Sequence, residues 1–265
     1  MKNNKIKILV IIAIVVFIAS GLITLAINSN QVFKPKHKPK RAKVSLAQPN
    51  KNLKYDTVLL NTLTLLVQKV NGIKVGTFSG YITIINPQDT SKNLNHLPFS
   101  YAKNNLETDY IVGQAEVLNA NGQNLFVNHE SKSIMLTEQQ NTSTPFAINT
   151  PFLIKSLQAG DYKLITKSNG HNKTISIVNE GNLDCKEYSL TYDTVKMQIT
   201  RIYSRKPDIN DPFNKALDQV IDISINTSST IAHINHNLLT GDVVYKNGDN
   251  WKLSLKYASY QLIQP

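Results

Sequence analysis

The sequence predicts an α+β fold, mainly antiparallel β, in which an N-terminal transmembrane helix is followed by a curved sheet, an incomplete barrel, packed on two helices. Three observations predict it. Residues 8–27 form one apolar run without a charge. Two later stretches carry apolar residues at helical spacing, and most of what remains alternates with period two in short runs broken by turn residues.

The first run, ILVIIAIVVFIASGLITLAI, has the length of about 20 residues that a helix needs to cross roughly 30 Å of hydrocarbon. A cleaved secretory signal would show an apolar core of roughly 7–15 residues and a small-residue cleavage site. The nearest candidate here, Leu25-Ala26-Ile27, is poor, so the expectation is an uncleaved anchor. A bare count of flanking cations favours a cytoplasmic domain. However, Lys2, Lys5 and Lys7 abut the run, while the second cluster starts several residues beyond it. The expected organisation is a short cytoplasmic N-terminus at 1–7, an anchor at 8–27, a basic proline-containing linker at 28–54 and a β-rich domain at 55–265. That places a single-pass chain in the inner (cytoplasmic) membrane with its domain on the periplasmic or extracytoplasmic side.

Charge is concentrated at the start. Residues 1–43 hold eight lysines and Arg41 and no acid, so nine of the eleven net positive charges lie there. The remainder is nearly neutral, and its only arginines are Arg201 and Arg205. A phosphate-reading surface needs its cations gathered on one face, so nucleic acid is not an expected partner. Within KPKHKPKRAK at 34–43 proline alternates with charge, which gives an extended spacer rather than a helix. Lys34, Lys36, Lys38, Lys40, Arg41 and Lys43 are either a solvated tether or a contact with anionic headgroups, worth about 1 kcal/mol per basic residue at the surface.

The domain opens on a helix. Leu59, Leu63, Leu66 and Val70 recur at helical spacing over 55–70, with Asp56 as cap and Asn71-Gly72 as a left-handed stop. Its wide apolar face suits packing against a sheet. Strands follow at 73–87, 97–103, 108–119, 124–129 and 132–138, with Phe78, Ile82 and Ile84 on one face of the first and Val75, Tyr81 and Ile85 on the other. Thr150, Pro151 and Gly160 bracket a second, short helix around Phe152, Leu153, Ile154 and Leu157. Further strands are expected at 161–167, 173–179, 186–192, 195–204 and 219–226, then at 241–247 and 250–263 across Asn247-Gly248. Short connections make this an antiparallel meander.

Chemistry is sparse. The single cysteine, Cys185, excludes an internal disulfide and reads as a packed thiol. His233 and His236 are three apart, but the preceding serine and β-branched residues do not make the helix that would converge them, and no acid or cysteine completes a ligand set. No Gly-x-Ser-x-Gly elbow or phosphate loop is present. Asp218 and Asp222, four apart at a strand start, read as charges guarding a sheet edge. No catalytic residue, metal or cofactor is expected, and the chain reads as a non-enzyme.

Apolar and aromatic side chains are abundant instead, and a strongly curved sheet wrapped round its helices could enclose a cavity. Leu59, Leu63, Leu66, Phe78, Ile82, Ile84, Phe99 and Tyr101 are its candidate lining; the alternative is a filled core made of the same residues. The pattern of FSGYITIINP, then LPFSYAK, then YIVGQAEVLNANGQNLFVNH, over roughly 55–205, resembles the LolA-like group. That resemblance implies a curved antiparallel sheet closed by helices over a hydrophobic cavity, used to carry lipoproteins or related lipids. Carriers of the group are released by signal cleavage and hold an arginine in their early strands; this chain keeps its apolar run and has no arginine between Arg41 and Arg201. The implied role is therefore holding rather than shuttling. The expected function is a membrane-anchored binding module for a lipid or acylated protein, with membrane lipids as partners through the anchor. The alternative is a structural or interaction component of a cell-envelope assembly, partnered by envelope proteins and without a ligand cavity.

Overall fold

The computed structural model describes residues 55–140, Leu157 and residues 162–264. The expected anchor, the expected linker with its cations and, apart from Leu157, the expected helix near 150–160 lie outside the described residues. Among the described residues no helix is long and apolar enough to cross a membrane.

Helix α1 spans Thr57–Asn71 and begins as its sequence requires. The Asp56 carboxylate accepts from the Val58 and Leu59 N–H groups at 2.8 and 3.3 Å, satisfying two of the donors that a helix start leaves open. The stop differs from the expected left-handed cap. Gly72 sits at φ −84°, and its N–H closes the last turn on the Gln68 carbonyl at 2.8 Å.

Strands β1 (Val75–Ile85), β2 (Leu94–Asn104), β3 (Glu107–Val112), β4 (Ala115–Ala120), β5 (Gln123–Asn128) and β6 (Ser133–Glu138) form an antiparallel meander. A second meander follows, of β7 (Lys163–Asn169), β8 (Asn172–Val178), β9 (Glu187–Asp193), β10 (Gln198–Lys206) and β11 (Gln219–Ser229). The hairpin β12 (Val244–Asn247) and β13 (Asn250–Leu253) pairs only with itself, and β14 (Gln261–Ile263) lies parallel to β6. The twelve-stranded sheet runs β14-β6-β5-β4-β3-β2-β1-β11-β10-β9-β8-β7 and is open, with β14 and β7 at its edges. Among the described residues the two meanders are hydrogen-bonded to each other where β1 pairs with β11.

Two expected strands are shorter than read. The run 108–119 folds back at Gly113-Gln114, where Gly113 takes φ +54° and Val112 pairs with Ala115. The run 250–263 breaks at a 3₁₀ turn over Leu255–Tyr257. The Asn121-Gly122 turn is present as expected, with both residues at positive φ.

The sheet's two faces explain its apolar alternation. On the inner face, Leu63, Leu66, Val67 and Val70 of α1 pack into one core with Ile82, Phe99, Tyr101, Tyr110, Ile175, Leu190, Ile202 and Ile223. Each of the four helix side chains contributes roughly 1.5–3 kcal/mol by leaving water. Leu157 is buried in the same cluster. The opposite face of β4, β5 and β6 carries Leu118, Leu125, Val127, Ile134 and Leu136, covered by Leu238, Leu239, Val243, Val244 and Tyr257 of the C-terminal segment. Elsewhere that outer face carries polar cross-strand pairs such as Thr174–Thr191 at 2.8 Å, Ser176–Ser189 at 2.7 Å and the bidentate Arg201–Asp222 ion pair. Asp222 thus stands on an interior strand and Asp218 immediately before it, not on an edge, and both are bound to cations.

Candidate functional site

Where α1 ends, it leaves the sheet incompletely filled. A cavity of about 570 Å³ opens between the last turns of the helix, the start of β1, the β9–β10 turn and the end of β11. Helix periodicity turns Leu66 and Val70 inward and sets Lys69 at the rim; Ile73 follows the helix, and β1 adds Val75 and Phe78. The opposite wall is Met197 and Ile199 near the turn, Ile202 on β10 and Ile225 on β11. Lys196, Gln198, Ser228, Ser229 and Thr230 complete the lining, so nine of fifteen residues are apolar and none is acidic.

The rim has defined geometry. The β9–β10 turn is capped by the Asp193 carboxylate, which accepts from the Val195 and Lys196 N–H groups at 2.8 and 2.9 Å; these bonds, with nearby Lys196 and His171, hold its pKa below the usual range. Met197 follows at φ +52°, a left-handed conformation that costs a side-chain-bearing residue about 1–2 kcal/mol. The Lys69 ammonium donates to the Met197 carbonyl at 3.5 Å, linking helix and turn across the mouth.

Deeper in, Phe78 stacks on Tyr101 with centroids 6.5 Å apart, and Tyr101 meets Tyr110 edge-on at 5.9 Å. Burial pushes both phenols' pKa values up. The Tyr110 hydroxyl is buried without a hydrogen-bond partner among the described residues. Tyr110→Phe is therefore expected to leave thermal stability unchanged or to raise it by up to about 1 kcal/mol. A melting curve showing a loss of that size would mean that the hydroxyl is bonded.

The expected cavity residues divide. Leu66 and Phe78 line the cavity. Leu63, Ile82, Ile84, Phe99 and Tyr101 are buried in the core beside it, and Leu59 is packed against that core, partly exposed. The other wall, Met197, Ile199, Ile202 and Ile225, was missing from the sequence reading. Its signal was the inward alternation of Ile221, Ile223 and Ile225, which the antiparallel register sets beside Ile202 and across from α1.

Among the described residues no other cluster forms a comparable site. Lys186 and Asp218, each 1 % exposed, pair at 2.7 Å, and Arg205 joins the other Asp218 oxygen at 2.7 Å while bonding Glu180 at 2.6 and 3.1 Å. These fixed partners tie the β8–β9 and β10–β11 loops together. The Cys185 thiol donates to the Glu187 carbonyl at 3.3 Å and burial raises its pKa. His236 pairs with Glu107 at 3.1 Å, and among the described residues no three His, Cys, Asp or Glu side chains are placed to hold a metal.

No protein-family model matches the chain, and no curated protein matches it. Among solved structures it is similar to an uncharacterized conserved protein from Thermus thermophilus, with 6 % identity over 77 % of this chain and 99 % of that one, at a TM-score of 0.40. It is similar to a LolA superfamily protein from Nitrosomonas europaea, with 12 % identity, 68 % and 97 % coverage and a TM-score of 0.33. A DUF1329 family protein from Desulfovibrio piger matches at 6 % identity, 67 % and 94 % coverage and a TM-score of 0.29. A LolA superfamily structure is thus among the neighbours, as the sequence pattern implies. What the cavity can do rests on its own residues.

Proposed function

We propose that this chain is a membrane-anchored, extracytoplasmic binding module that holds a lipid, or the acyl chain of an acylated protein, in the cavity beneath the end of α1. The observation that carries the reading is the cavity itself, about 570 Å³ and mostly apolar, within the roughly 300–1,000 Å³ of small-ligand pockets. A purely structural envelope component has no need of such a space, whereas each acyl methylene buried in it gains about 0.8 kcal/mol. In this reading residues 8–27 anchor the chain in the inner membrane, and the cations of 34–43 lie against anionic headgroups. The module binds and does not catalyse.

The test is native mass spectrometry of the detergent-extracted full chain with added single-chain lipids. The expected result is a one-to-one adduct whose affinity falls at least about tenfold in Ile199→Trp, because the half-buried Ile199 can accept a larger side chain that fills the cavity without opening the core. Unchanged circular dichroism in the variant separates loss of space from loss of fold. Absence of any adduct with the parent chain would sink the proposal.

A further inference from the structure

We infer that the ligand is a single-chain amphiphile with an anionic head, carboxylate or phosphate, and that Lys69 and Lys196 receive that head at the cavity mouth. This rests on the binding reading above and adds the polarity of the ligand to it. The cavity lining contains two cations and no acid. Both lysines are exposed, and neither is in an ion pair among the described residues. They come from opposite walls: Lys69 from the last turn of α1, and Lys196 from the β9–β10 turn. The bond from Lys69 to the carbonyl of Met197, the residue after Lys196, brings these two segments together.

The nearest acid on that turn, Asp193, accepts from the Val195 and Lys196 N–H groups and feels the Lys196 charge, but it makes no ion-pair contact with the Lys196 ammonium among the described residues. A lysine at 69 has a local reason, since a cation near a helix C-terminus is favourable. That reason does not extend to Lys196. The remaining polar lining, Gln198, Ser228, Ser229 and Thr230, can donate to head-group oxygens. Phe78, Ile202 and Ile225 form the apolar wall against which the chain of the amphiphile packs. An anionic head meets two cations at the mouth and no acid in the lining, an attraction that a neutral head does not gain. A cationic head would add a third cation.

The test compares hexadecanoate, hexadecyl phosphate, hexadecanol and hexadecylammonium on the full chain in neutral detergent, by native mass spectrometry at equal ligand concentrations. Hexadecanoate and hexadecyl phosphate are expected to bind at least about tenfold more tightly than hexadecanol, with hexadecylammonium weakest. The Lys69→Met/Lys196→Met double variant keeps the aliphatic stems; in it the preference for the two acids over the alcohol is expected to disappear, and a preference that persists would overturn the assignment of the lysines. Equal binding of acids and alcohol by the parent chain would overturn this inference and leave the cavity reading standing. Binding by none of the four would remove both. Inorganic phosphate is expected to displace no ligand at millimolar concentration; displacement by it would reassign the lysines to a free anion and overturn the amphiphile assignment.

Discussion

Asp218→Ala will lower the folding stability of the chain by about 3–5 kcal/mol, read from the thermal or urea midpoint of the β-sheet circular dichroism signal. Asp218 binds two cations at once: Lys186 through one carboxylate oxygen and Arg205 through the other, each at 2.7 Å. Arg205 keeps Glu180 and Glu187 after the change, at 2.6 and 3.6 Å. Lys186 keeps no ion-pair partner among the described residues. Its side chain is 1 % exposed, so the ammonium would stand in a dry site with neither water nor counter-charge. Asp218→Asn, which retains an acceptor, should lose less. Lys186→Met combined with Asp218→Leu should recover most of the loss, since a buried pair replaced by apolar residues is often close to neutral. A loss below about 1 kcal/mol in Asp218→Ala would show that the pair does not hold the two loops.

Gly80→Ala should cost about 4 kcal/mol or more, at the top of the range for point substitutions. A Cβ at this position would lie 1.8 Å from the Ser224 carbonyl oxygen and 2.8 Å from its carbon, both backbone atoms of β11. No rotamer relieves such a contact; β1 and β11 must separate, at the register shift between Ser79 and Gly80 that the glycine permits. Because β1–β11 is the sole strand pairing between the two meanders among the described residues, the strain falls on the joint of the sheet. Gly122→Ala serves as the control: nothing lies within 4 Å of its added Cβ, and only the φ of +76° resists it, at about 1–2 kcal/mol. Equal melting temperatures for the two variants would refute the close-approach account of Gly80.

The parts of this fold legible in the sequence are those whose cause is local. Asp56 and the leucine spacing announce α1, and Asn121-Gly122 announces its hairpin, because the cap and the turn are made by the residues themselves. Gly113 shows how a local signal is lost. The alternation of Tyr110 and Val112 with Ala115 and Val117 looks continuous, yet the inward positions change from even to odd across the glycine, which is the mark of the turn. The need to cover both faces of β4, β5 and β6 could be read from Val117–Leu118 and Leu125–Phe126, but the cover of the outer face comes from the distant residues near 238–257. Likewise, helix spacing marks Leu66 as inward, while nothing near Lys69 in the chain reveals that its partner is Met197, 128 residues away. Half of the candidate site is therefore visible only once the sheet order is known.

That order also dictates how the molecule must be completed. The strands β2 to β6 can zip onto β1 as successive hairpins, each closing a short loop, and β7 to β11 can do the same among themselves. Between these events the outward edge of β1, with its run of free N–H and carbonyl groups, has to wait for a partner far along the chain, since Ser79 pairs with Thr227 and Ile85 with Val220. For a chain synthesised from its N-terminus, the strand at the centre of the finished sheet is an open edge for most of translation, able to recruit a foreign strand. Closing that seam joins the walls of the cavity, so the cavity cannot form before β11 has paired with β1.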